Sequence, residues 1–239
     1  MSDPKAKKGG KPRTQAERSS RSRNLICVAT LDALVEFGGD MVSTNLVAKR
    51  AKLSRGALTH QFPTRNDMYV AAYQYLVEGW RNGFPFNTGP NYARLTIDEL
   101  VDALWDLIYE PRRYSASMEL MLAAAKDNEL GRQLRDVMDS WVQERDAAAM
   151  QILGIDPDDR DAVDFFQLNL SSLRGIALLH ALSADMATAK RHLAQWKQLA
   201  RAVMDSHPRN HTTAGASAAP LHAFWHPTAQ SSKVSPIDS

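Results

Sequence analysis

The chain has 239 residues, 29 Lys/Arg against 27 Asp/Glu, and 44% hydrophobic residues, an ordinary globular composition for one large domain or a small one joined to a larger one. Its longest apolar run, residues 120–125, is far short of the ~18 residues of a membrane span, and its first 24 residues carry charge without an apolar core, which excludes a secretory signal. The single cysteine, Cys27, excludes an intramolecular disulfide framework and a Cys-rich metal site, so a soluble, cytoplasmic protein is expected.

Charge is unevenly placed. Residues 1–65 hold 13 Lys/Arg against 5 acidic residues, whereas the remainder is net acidic. A basic head on an acidic body suggests a polyanionic partner for the head. A merely solvated basic tail is the bland alternative for residues 1–24.

Residues 1–13 read as a disordered basic arm and residues 207–239 as a disordered tail rich in Ala, Ser, Thr, Pro and His. Between them there is helical periodicity and neither period-2 alternation nor a hairpin turn, which predicts an all-α fold. The first helix is expected over residues 14–37, with Ile26, Thr30, Leu31, Leu34 and Phe37 on one face and Gly38-Gly39 ending it. Short helices follow, from Ser43 or Thr44 to about Ala51 and from Ser54 to about Phe62. Pro63 breaks the chain, and Thr64 to Asp67 forms a capping box for a fourth helix to about Arg81. A second capping box at Thr96 to Glu99 opens a helix to Tyr109, Pro111 interrupts, and another helix covers 112–125. A long amphipathic helix is expected over 128–153, one opening at Asp156-Pro157 and running to about Leu182, and a last over 188–205. The expected total is about nine.

Residues 43–62 carry the chemistry. Two short capped helices joined at Lys52-Leu53 make a helix-turn-helix candidate. Ala48 and Ala51 supply small residues where the helices cross. Leu46, Val47, Leu53, Ala57, Leu58 and Phe62 can anchor the pair to the first helix, while Arg55, Thr59, His60 and Gln61 fall on the outer face of the second. At eight residues, that second helix spans about 12 Å and fits the DNA major groove.

The stretch from Ile26 to Met68 resembles the N-terminal DNA-binding domain of the tetracycline-repressor (TetR) family. The elements that match are an apolar first helix closing on Gly38, Ser43-Thr44 before the second helix, and Ala48 and Ala51 within it. Ser54-Arg55-Gly56-Ala57-Leu58 opens the recognition helix, and Phe62-Pro63-Thr64-Arg65 leads into helix four. Two positions depart from the pattern. The turn glycine is Lys52, which must adopt a left-handed conformation or shift the turn, and the phosphate-touching tyrosine is Thr59.

The resemblance implies a helix-turn-helix domain over residues 14–66 and a helical effector-binding and dimerisation domain over 67–206. Ser43 and Thr44 are expected at phosphate, Ser54 as a cap, and Arg55 on a guanine edge, with Gly56 letting backbone approach the bases. Thr59, His60 and Gln61 offer further contacts, and Arg65 pairs with phosphate. Among the aromatic and Met residues of the middle helices, Trp105, Met118, Met121, Met138 and Trp141 are candidates for a small-molecule pocket rather than plain core. The last two long helices are expected to pair with those of a second copy, through Phe165, Leu168, Leu173, Ile176, Leu179, Trp196, Leu199 and Val203. A homodimer would place two recognition helices about 34–36 Å apart, or a multiple of it, on a near-palindromic operator.

No glycine-rich phosphate loop, H-E-x-x-H or G-x-S-x-G is present, so no enzyme and no cofactor is expected. Asp156, Asp158, Asp159, Asp161 and Asp164 lack the glycine and closing glutamate of a calcium loop and suit a helix N-terminus. His222 and His226 lie in the tail, so no metal is expected either. The reading is a dimeric transcriptional regulator, a repressor released by a small apolar or aromatic effector. Its alternatives are a helical small-molecule-binding protein or enzyme whose first helices do not touch DNA, and a nonspecific nucleic-acid binder using only the basic arm.

Overall fold

The structure, a computed structural model, describes residues 14–88, 92–183 and 185–206. The expected basic arm and C-terminal tail lie outside the described residues. Among those residues there are nine α-helices and no strand: α1 (Gln15–Phe37), α2 (Thr44–Arg50), α3 (Arg55–Gln61), α4 (Arg65–Arg81), α5 (Ile97–Leu107), α6 (Pro111–Lys126), α7 (Asn128–Leu153), α8 (Arg160–Ser183) and α9 (Met186–Ser206). None is long and apolar enough to cross a membrane.

Local chemistry sets the starts. Capping boxes at Thr14, Thr64 and Thr96 open α1, α4 and α5, each with a hydroxyl on the third helical N–H and a carboxylate reaching back to the cap. Gly38, at φ 75°, turns the chain out of α1.

Three expected boundaries move. Pro111 does not separate two helices but opens α6 as its first residue, with the Glu110 carboxylate accepting from the N–H groups of Arg112 and Arg113. The preceding helix stops at Leu107. Asp156-Pro157 does not open α8; the pair lies in a turn, and Asp159 accepts from Ala162 N at 3.1 Å to start the helix at Arg160. Any of several aspartates could cap, and the downstream register chose the last one that keeps Ala162, Val163 and Phe166 buried.

α1 packs along α4 and α6, with α2 and α3 folded against its side. Ile26, Ala33 and Leu34 of α1, Val47 of α2, Leu58 of α3 and Met68 of α4 have no exposed surface. Each large side chain among them stabilises the unit by about 1.5–3 kcal/mol. Phe37, expected on this face, is 42% exposed because α1 ends there and no helix covers it. α7 lies across α4 and α6, and α8 and α9 pack on each other, with α9 also against α5.

Candidate nucleic-acid interface

α3 is seven residues long, about 10 Å, one residue shorter than the pattern suggests. Ser54 Oγ accepts from Ala57 N at 3.1 Å and so fixes its start. Leu58 and Phe62, four residues apart, bolt its inner side into the core. On the outer side Arg55, Gly56 and His60 are exposed, while Thr59 and Gln61 are half-buried. Ala57 is exposed too and is not an anchor, since it lies about 100° around the helix from Leu58. A methyl added at Gly56 would meet nothing within 4 Å, so that flank of α3 is open.

The turn before α3 resolves the Lys52 question. Its φ is 56°, the left-handed conformation usually given to glycine. Leu53 N donates to Ala48 O at 3.0 Å and Lys52 N to Lys49 O at 3.2 Å, the paired bonds that close a helix through a left-handed residue. Ala48 is buried and Ala51 half-buried in the crossing, while Leu46 and Leu53 pack partly against the core.

The other expected contacts divide. Ser43 is exposed and accepts from Leu46 N at 3.3 Å as the cap of α2; Thr44 is half-buried beside it. The Thr59 hydroxyl donates to Arg55 O at 3.1 Å, so in this rotamer it has no proton for a phosphate. Gln61 Nε2 donates to Ser19 Oγ at 2.9 Å and ties α3 to α1. Arg65 is exposed at the start of α4; its Nη2 donates to Gly39 O and to Tyr69 Oη at 3.1 Å, and the guanidinium covers the Tyr69 ring. Both bonds come from Nη2, one of the three guanidinium nitrogens. Arg23, expected only as part of a basic arm, lies 4.7 Å over the Phe62 ring and braces the end of α3.

The pocket candidates separate into two groups. Trp141 lies 6.0 Å from Trp80 and 5.2 Å from Phe86, with Met138 on the same side of α7 receiving the Tyr73 hydroxyl at 3.1 Å. Trp105 belongs to another string, 6.1 Å from Tyr109, whose ring is 5.3 Å from Tyr114. Met118 and Met121 are half-buried against the core from α6. Of the interface candidates, Leu168, Leu179 and Leu199 are exposed, and Phe165 stacks on Trp196 at 6.3 Å. Ile176 and Val203 are half-buried. Leu173 is wholly buried in the chain's own core and cannot face a partner.

Sequence reasoning missed the links between the first helices and the rest. Glu119 Oε2 accepts from Gly39 N at 2.7 Å, Arg112 pairs with Asp32 at 2.8 Å, Lys126 with Asp40 at 2.7 Å, and Asn66 donates to Asp127 at 3.0 Å. These partners are 61–86 residues apart, beyond the reach of any local pattern. Lys126 holds the Asp40 carboxyl below its ordinary pKa; the Leu130 N–H and the Asn66 amide do the same for Asp127. Burial pushes the Cys27 thiol up to about 11, where it packs with its S–H toward Ala71 O.

An all-α chain whose capped seven-residue helix is anchored inward and exposed outward, after a tight left-handed turn, is a helix-turn-helix protein. Residues 26–72 match the model of the bacterial regulatory proteins of the tetR family. These residues are thus a DNA-binding helix-turn-helix domain of the kind that family of transcriptional regulators carries. The chain is 27% identical over 192 residues to the HTH-type transcriptional regulator CymR of Pseudomonas putida, covering 76% of this chain and 90% of that protein. It shares its fold with a tetR-family transcriptional regulator from Streptomyces coelicolor, with a TM-score of 0.58 and 18% identity over 77% of this chain and 82% of that one. It also shares it with the multidrug binding protein EbrR, solved with imidazole, at a TM-score of 0.52 and 23% identity over 74% and 93%.

Proposed function

We propose that the protein is a cytoplasmic, dimeric, one-component repressor that grips a near-palindromic operator and is released by a small molecule. The observation that carries this reading is the two-sidedness of α3, with Leu58 and Phe62 sealed inside while Arg55, Gly56 and His60 stand in solvent. In the proposed complex Arg55 reads a guanine edge, Gly56 lets the backbone come close, and His60 meets a base or phosphate. Ser43 and Thr44 receive the phosphates beside α2, and Ser54 keeps α3 in register. Thr59 and Gln61 join only if they leave their present partners, and Arg65, exposed at the start of α4, pairs with backbone phosphate.

One such helix reads too few base pairs for specificity, so the reading requires a second copy. Leu168, Leu179 and Leu199, large apolar side chains exposed on α8 and α9, support pairing through those helices. Release follows if an effector prefers a conformation in which the two α3 helices no longer match the groove spacing. That EbrR, which shares this fold, was solved as a multidrug binding protein with imidazole supports a small-molecule effector. Residues 14–66 would then form the DNA-binding unit and 67–206 the effector and dimerisation unit.

Selection of bound sequences from random duplex DNA tests this. A two-fold motif with half-sites about 34–36 Å apart, or a multiple of it, is expected. Enrichment of no sequence at all would favour a helical binding protein whose first helices are structural.

A further inference from the structure

Away from α3, the surface shared by α1 and α4 is apolar and open. Arg21, Asn24, Leu25 and Val28, at helical spacing on α1, line a groove that Tyr75 of α4 closes from the other side. Leu25, Val28 and Tyr75 are 43%, 41% and 40% exposed. One turn beyond Tyr75 on the same strip of α4 is Gly79, exposed inside a helix, where a methyl would meet nothing within 4 Å. A solvated glycine there is a poorer helix former than alanine. Large apolar side chains left in water beside it mark a surface that something covers. The other sides of α4 are taken by α1, α6 and α7.

The chain carries a segment of matching chemistry. Residues 207–239 lie outside the described residues; their only aromatic side chains, Phe224 and Trp225, stand with Leu221 between Pro220 and Pro227. Leu221, Phe224 and Trp225 have the i, i+3, i+4 spacing by which a short helical turn lays one apolar face into a groove, and His222 and His226 fall on its opposite side. No Lys, Arg, Asp or Glu occurs between Arg209 and Lys233, so docking buries no ion. The segment also reaches. Arg201, in the last turns of α9, pairs with Asp98 at 3.2 Å, and Leu95 N donates to Ile152 O at 3.2 Å, so α9 ends beside the far end of α7. Tyr73 meets Met138 of α7, which lies about 21 Å along that helix from Ile152. Residues 207–220 span up to about 46 Å when extended.

We infer that the groove between α1 and α4 is the docking surface of this chain's own tail, with Leu221, Phe224 and Trp225 laid over Leu25, Val28 and Tyr75. The tether holds the segment near its groove at an effective concentration on the order of 1 mM, so a contact too weak to last between separate molecules is populated within one. Gly79 leaves room for the docked backbone to come close to α4. The docked segment straps α1 to α4, the helices on either side of α2 and α3.

The test follows Trp225 in the full chain, as the emission that a chain loses on Trp225→Phe. In the parent this emission is expected at short wavelength and shielded from iodide. Val28→Glu, at an exposed site whose change leaves the melting temperature intact, is expected to move it to longer wavelength and open it to iodide. Leu122→Glu, at an exposed leucine of α6 outside the groove, is expected to leave it shielded. A labelled peptide of residues 217–229 is expected to bind the full chain carrying Phe224→Ser and Trp225→Ser, whose groove is vacated. Adding Val28→Glu to that chain should weaken the peptide about ten-fold or more, because a carboxylate then lies under an apolar segment. A Trp225 as open in the parent as in Val28→Glu overturns the assignment, as does a peptide that fails to bind or binds both chains equally. A Val28→Glu chain that sediments as a smaller species while Trp225 stays shielded overturns it too, and makes the groove an interface between copies.

Discussion

Glu119 Oε2 accepts the Gly39 N–H at 2.7 Å, across 80 residues of chain. The Gly39 carbonyl is gripped from the other side by the Tyr69 hydroxyl at 2.7 Å and by Arg65. The peptide that leads from α1 toward the helix-turn-helix is thus held by α6 and α4 together. Any displacement of α6 relative to α4 strains this joint first.

Glu119→Ala removes the acceptor from a half-buried N–H and is expected to cost about 1–3 kcal/mol. For a chain of this size that lowers Tm by about 2–12 °C. Glu119→Gln keeps an oxygen at the same place and should recover most of the loss. A thermal melt of the two variants checks both, and an unchanged Tm for the alanine variant would show that the bond contributes nothing.

Lys52 occupies the left-handed region at φ 56°, where a Cβ costs about 1–2 kcal/mol. Lys52→Gly relieves that strain, less the extra entropy that glycine loses on folding, for a net gain of about 0.5–1 kcal/mol. Lys52→Val should destabilise by more than 1 kcal/mol, roughly, because a β-branched residue tolerates this conformation worst. Denaturant unfolding distinguishes the cases. A glycine variant less stable than the parent would mean the lysine side chain makes a contact that outweighs its strain.

What was legible in the sequence follows from range. The caps at Ser54, Thr64 and Thr96 are local rules and were read correctly, as was the Gly38 stop, while the capping box at Thr14 was passed over. Asp156-Pro157 misled because a good cap is only an offer; burial of Ala162 and Val163 decided where α8 begins. The present partners of Arg65 and Gln61 were not legible because sequence shows residue types, whereas their acceptors, Gly39 and Ser19, lie 26 and 42 residues away.

Arg55 is exposed and has no structural role in α3, so Arg55→Ala should leave Tm unchanged. On the selected operator it is expected to lose about 1–3 kcal/mol at one base position and to relax preference there. Binding titrations on operators substituted one pair at a time read this directly. An equal loss at every position, with a shallower salt dependence, would make Arg55 a phosphate contact instead. With about 8 phosphates neutralised per dimer, the parent slope of log K against log[salt] should be near −7, roughly.

The Asp127 carboxylate, which caps α7 and receives Asn66 from α4, sits below its ordinary pKa of 3.8 because the Leu130 N–H and the Asn66 amide stabilise the charged form. A folded-state pKa below the unfolded one means stability that is fully present above pH 3.8 and is lost as pH falls toward the folded value. Asp127→Asn lacks that charge at every pH. Its Tm should therefore lie below that of the parent at pH 6, and the gap should narrow as pH falls below 3.8. At the other extreme, Cys27 resists ionisation up to about 11 against an ordinary 9.0, so stability should fall as pH climbs through that interval. Cys27→Ser removes this alkaline loss, and parallel melts across the two ranges test both groups.

Leu168 and Leu199 stand 57% and 61% exposed on α8 and α9, while Leu173 between them in sequence is fully buried. Large aliphatic side chains left in water on two packed helices are best explained by a second copy covering them. Leu168→Glu combined with Leu199→Glu should then leave the fold intact, since neither side chain contributes much to the chain's own core. The paired form should give way to monomer, because four carboxylates would have to be buried in the proposed two-fold interface at a cost of several kcal/mol, roughly. Sedimentation velocity reads the change in mass, and operator affinity should fall with it, because a lone helix-turn-helix loses the second half-site. A double variant that remains dimeric would place the contact elsewhere, and one that is monomeric yet binds the operator as tightly as the parent would remove the need for two-fold recognition.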